Sequence, residues 1–122
     1  MILADTSVWV EHLRGRDEAL VELLESEEIL IHPFVIGELA LANLGDARAR
    51  EGILDALEGL PSAHIASSEE VLDFIERRAL AGRGVGWVDA SLLASVILTP
   101  EARLWTRDVR LGRIAAALRL GV

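Results

Sequence analysis

Four short apolar runs, Met1–Ala4, Ile29–His32, Ala63–Ala66 and Arg103–Thr106, each give way to a stretch with helical apolar spacing. No other feature constrains the fold as much. Strands that alternate with helices predict a parallel sheet covered by helices on both faces. The expectation is therefore an α/β fold with a central, mainly parallel sheet of four to five strands, the fifth being a short strand near the C-terminus. No repeat, low-complexity tract or linker interrupts the pattern. At 122 residues the chain reads as a single domain, 1–122, with room for a core that needs no covalent staples.

Local signals place the helices. Thr6 or Ser7 is positioned to cap a helix from Val8, with Asp5 as the alternative cap. Asp17 caps a helix whose outer face is rich in glutamate, a solvated face or a docking surface for a basic partner. Pro33 opens a helix that carries Glu38. Arg48 to Leu60 forms another, and Ser67-Ser68-Glu69-Glu70 begins the next, with Val71, Leu72, Phe74, Ile75 and Leu80 inward. The glycines of Gly82–Gly86 deliver Trp87-Val88-Asp89 to a helix with Leu92, Leu93, Val96 and Ile97 on one face. Asp108 precedes the last helix.

Composition narrows the chemistry. There is no cysteine, so no disulfide or thiolate metal site, which fits a cytoplasmic setting. MILADTSVWV has no basic leader and breaks at Asp5, unlike a signal peptide. No apolar segment approaches the ~20 residues of a membrane span. All twelve basic residues are arginine, and the net charge is −8. That charge disfavours direct attraction to nucleic acid and favours metal cations or a basic partner.

In an open α/β sheet, ligands bind beyond the carboxyl ends of the strands. Asp5, Glu38, Asp89 and Asp108 all stand at or just past a strand end, or at a helix start. Four carboxylates at one edge repel one another unless cations lie among them. An all-oxygen donor set suits a hard ion, Mg²⁺ or Mn²⁺. The matching chemistry is metal-dependent hydrolysis of a nucleic-acid backbone. Glu38, among Ile36, Leu39 and Leu41, either is buried with a partner or faces solvent. Arg14, Arg83 and Arg107 are candidates to touch a backbone phosphate, against the ordinary alternative of solvated surface. His12, His32 and His64 match no ligand spacing and read as structural or surface residues. Trp9, Trp87 and Trp105 read as core, with Trp9 or Trp87 able to stack a base.

DTSVW at Asp5–Trp9, the helix around Gly37-Glu38-Leu39, GWVDASLLASV at Gly86–Val96 and LWTRD at Leu104–Asp108 resemble the motifs of PIN-domain nucleases. More narrowly, the chain resembles VapC-type toxins of toxin–antitoxin pairs. The resemblance spans essentially the whole chain. It implies a three-layer α/β/α sandwich and a cytoplasmic Mg²⁺- or Mn²⁺-dependent endoribonuclease acting on RNA. It also implies a homodimer restrained by a cognate VapB-type antitoxin. Carried over by position, Asp5, Glu38, Asp89 and Asp108 form the catalytic metal site, with Asp5 and Asp89 as direct ligands. Thr6 and Thr106 become hydroxyls that position water or the scissile phosphate. Asp5→Asn is then expected to abolish cleavage and to leave the metal-free fold at least as stable. The rivals are a PIN-fold nuclease of RNA processing or single-stranded DNA, and a non-catalytic PIN-like binding module. A receiver domain is disfavoured by the absence of lysine, and a dehalogenase-type phosphatase by Ser7 where a second aspartate would stand.

Overall fold

The computed structural model describes residues 1–122. Strand β1 (Ile2–Ala4) leads into α1 (Thr6–Arg14) and α2 (Glu18–Glu25), and β2 (Ile29–Leu30) into α3 (Pro33–Ala40), α4 (Ala47–Glu58) and α5 (Ser68–Arg77). Helix α6 (Trp87–Leu98), strand β3 (Arg103–Trp105) and helix α7 (Val109–Ala117) complete the chain. The sheet is parallel, in the order β2-β1-β3. Leu3 and Ala4 are neighbours on the central strand and point to opposite faces. Both are fully buried, so helices cover the sheet on each side. Leu92, Leu93 and Val96 of α6 join Leu3, Leu104, Val8, Val35 and Leu39 in the same core.

The sheet has three strands, not the four to five expected. The run at Ala63–Ala66 forms no strand; the single bridge there, Ile31 opposite Ser62, lies one residue before it. Beyond it the backbone turns for its partners to side chains of α6 and of Thr99, the residue that ends that helix. His64 N donates to Thr99 Oγ1 at 2.9 Å and Ala66 N to Ser95 Oγ at 3.2 Å. A backbone amide satisfied in this way has no need of a ladder. The C-terminal tail likewise makes one bridge, Leu104 opposite Gly121. The second strand is also shorter than its apolar run. His32 leaves it to cap α3, its Nδ1 accepting from Phe34 N at 3.0 Å.

Capping sets most helix starts. Asp17 and Asp46 accept from Leu20 N and Ala49 N, and Ser67 and Glu70 form a reciprocal capping box. At α1 the cap is Asp5 itself, not Thr6 or Ser7. Leu72 lies on the outer side of α5 and is more than half exposed, because Val71, Phe74 and Ile75 fill the inward arc. Ile97 is also largely exposed, at the edge of the α6 stripe. No helix is long and apolar enough to cross a membrane.

Because the strands are parallel, their carboxyl ends share one edge. Asp5 follows β1, the α3 helix that carries Glu38 follows β2, and Thr106 to Asp108 follows β3.

Candidate active site

Asp5 is the buried anchor of this edge. Its Oδ1 accepts from Ser7 Oγ at 2.5 Å and from Val8 N at 3.3 Å, and its Oδ2 accepts from Thr106 Oγ1. Its own amide donates to Trp105 O at 3.0 Å, carrying the β1–β3 pairing one residue past the strand. Three donors on one carboxylate fix its orientation before any ligand arrives.

Thr106 was expected near the site and lies in it. Besides donating to Asp5, its hydroxyl accepts from Asp108 N at 3.0 Å. Asp108 in turn caps α7, its Oδ1 accepting from Leu111 N at 3.0 Å. Thr6 donates to Glu38 Oε1 at 2.6 Å, tying α1 to α3. Glu38 is exposed and stands on the rim rather than in the core. Ser7 is the residue that sequence reasoning undervalued. It bonds Asp5, lies 3.3 Å from Thr106 Oγ1 and accepts from Arg107 N at 2.9 Å. Its place right after a strand-end aspartate was the available signal, read there only as a helix cap.

Asp89 differs from the other three. It is the third residue of α6, behind Gly86, which as cap offers no side chain. A carboxylate in a first turn suits the helix dipole, and this one makes no hydrogen bond within the protein. It is half-buried, and its carboxyl is pushed up to about 6. Burial is the main cause, followed by the charges of Asp5, Asp108 and Glu38. The other three acids thus all act on Asp89 at the same edge. A cavity of about 270 Å³ opens beside Asp89 and Asp108, walled by Gly84, Val85, Val109, Arg110, Leu111 and Ile114.

No three of the acids are set closely enough to hold an ion by side-chain oxygens alone. A hard cation that keeps several waters and takes only one or two carboxylates directly fits this spacing. The unpartnered oxygens of Asp89 are the first available donors.

The arginines separate clearly. Arg107 is engaged, with Nη2 on Asp17 Oδ2 at 2.7 Å, Nε on Glu11 Oε2 at 3.2 Å and its guanidinium over Trp105. It holds the Asp17 carboxyl below its ordinary range. Arg14 and Arg83 are exposed and do not line the acidic cavity, whereas Arg110, not singled out from the sequence, does. His32 is structural: buried, with Nε2 3.1 Å from Ser95 Oγ. His12 Nδ1 accepts from Asp17 N, and His64 is at the surface. Trp9 is core, Trp105 is partly buried, and Trp87 is largely exposed.

The family model described as PIN domain matches residues 2–117. This chain belongs to the PIN-domain family. It is also 54% identical over 111 residues to Ribonuclease VapC32 from each of two strains of Mycobacterium tuberculosis. Those matches cover 91% of this chain and 87% of each relative.

Proposed function

We propose that the chain is a metal-dependent endoribonuclease, the toxin of a VapBC-type pair, with Asp5, Glu38, Asp89 and Asp108 as its catalytic metal site. One observation carries the reading: three acids from separate segments act on a fourth, the half-buried Asp89, which no protein group neutralises. The ribonuclease name of relatives at 54% identity supports it. Mg²⁺ or Mn²⁺ is the cofactor that an all-oxygen set of this spacing favours. When bound, such an ion polarises the phosphodiester and sharpens a water nucleophile.

The protein's own part is placement. Asp89 and Asp5 would hold the ion, Asp5 being pre-oriented by Ser7, Val8 and Thr106. Glu38, steadied by Thr6, accepts a proton from water at the rim. Asp108, fixed as a helix cap, acts through water at the opposite side. Thr6 and Thr106 position these groups rather than the phosphate. Partners on this reading are RNA, a cognate VapB-type antitoxin and a second copy of the chain, in the cytoplasm.

The test is cleavage of a mixed RNA pool with Mg²⁺ or Mn²⁺ against EDTA, beside Asp89→Asn. Metal-dependent cutting that disappears in the variant is expected. Equal cutting by the folded variant, or none by the folded parent free of antitoxin, would overturn the assignment.

A further inference from the structure

Arg110 is the one basic side chain that lines the acidic cavity, in which Asp89 and Asp108 also stand. It forms no ion pair and donates no side-chain hydrogen bond, so its planar fork of five donors is unspent. Its place is set by Gly84. A Cβ at Gly84 would lie 2.7 Å from Arg110 Nη1, 3.4 Å from Cζ and 3.5 Å from Cδ. The guanidinium therefore lies along bare backbone, at a position whose φ of +78° already favours glycine. A cation that could relax into a carboxylate is instead laid on the loop that leads into α6.

We propose that Arg110 is the phosphate clamp of this site, gripping an RNA backbone phosphate next to the scissile one while the acids and their ion engage the scissile group. The proposal rests on the nuclease reading. The net charge of the chain repels RNA, so a nearby unpaired cation is what admits a phosphate to this edge. A guanidinium matches phosphate in a forked, paired geometry, and contact with backbone carries no base preference. Gly84 leaves space for Arg110 and also supplies the positive φ that this loop requires.

The experiment measures binding of a fluorescent single-stranded RNA across a salt series in EDTA, where metal-dependent cutting cannot occur. Cleavage kinetics of the otherwise native chain run in parallel. Arg110→Ala should weaken binding roughly tenfold, and should flatten the salt dependence by about 0.7 in log–log slope, the worth of one phosphate contact on a single strand. KM should rise much more than kcat falls, for every RNA sequence alike. Arg110→Lys should restore the slope with incomplete affinity, since lysine carries the charge without the fork. An unchanged slope and affinity in a folded Arg110→Ala variant would overturn the clamp while leaving the nuclease intact. A folded parent that neither binds nor cuts RNA would remove both.

Discussion

Replacing Asp89 with asparagine should inactivate the protein and stabilise it. The folded Asp89 carboxyl sits near 6, against 3.8 as the ordinary value. At about 1.36 kcal/mol per pH unit, that rise sets a ceiling of about 3 kcal/mol on the cost of ionising Asp89 in place. The side chain is only partly buried, and solvent screening brings the expected cost to about 1–2 kcal/mol. The sign follows from proton counting. The folded carboxyl holds its proton more tightly than the unfolded one, so parent stability is intact below pH 3.8 and falls as the pH climbs to about 6. Asparagine has the same shape and does not titrate. In EDTA at pH 8, the variant should therefore melt about 4–8 °C above the parent, and the gap should close as the pH approaches 4. Mg²⁺ should reverse the order, because an ion bound only by the folded parent stabilises it by mass action. Thermal melts over pH 4–8, with and without metal, read all of this. A variant no more stable than the parent at pH 8, or a gap indifferent to pH, would refute the cost assigned to ionising Asp89 in its partly buried place among the other acids.

Asp5→Asn should also abolish cleavage, yet it should lower stability by about 1–3 kcal/mol in a denaturant melt, since an amide nitrogen cannot accept from Ser7 or Thr106. Relief of repulsion thus belongs to Asp89, contrary to the expectation for Asp5 drawn from the sequence. Ser95→Ala should cost about 1–3 kcal/mol by leaving His32 and Ala66 N unpartnered, seen as a lower urea midpoint. Burial holds His32 below its ordinary 6.5, so its contribution is intact above pH 6.5 and lost as the pH falls, which His32→Gln should flatten in an acid titration followed by circular dichroism. Arg107→Ala should cut RNA at close to the parent rate in a gel assay, because that guanidinium is already bound to Asp17 and Glu11.

Helix positions and the placement of the four acids at one edge were legible because they rest on local rules: side-chain caps, apolar spacing, and acids at strand ends. What escaped depended on distant partners. Ala63–Ala66 has a strand's composition, but Ser95 of α6 and Thr99 at its end take up its amides, and no local pattern announces that. Asp5 was weighed as cap or as site residue, and the structure makes its carboxylate serve as the cap at the edge where the acids meet. Glu38 combined two readings as well, being solvent-exposed yet close enough to act on Asp89. Arg110 went unnoticed because its meaning lies in the bare backbone of Gly84, far away in sequence.

The hydroxyls that orient Asp5 come from opposite ends of the chain. Ser7 and Thr106 knot β1 to β3 through that one carboxylate. On a ribosome, a chain that has not yet released β3 possesses Asp5 and Glu38 but neither the brace for the first nor Asp108. Contacts so distant in sequence form late. The braced carboxylate therefore forms only once β3 has paired with β1, so strand pairing and the orientation of Asp5 are completed together.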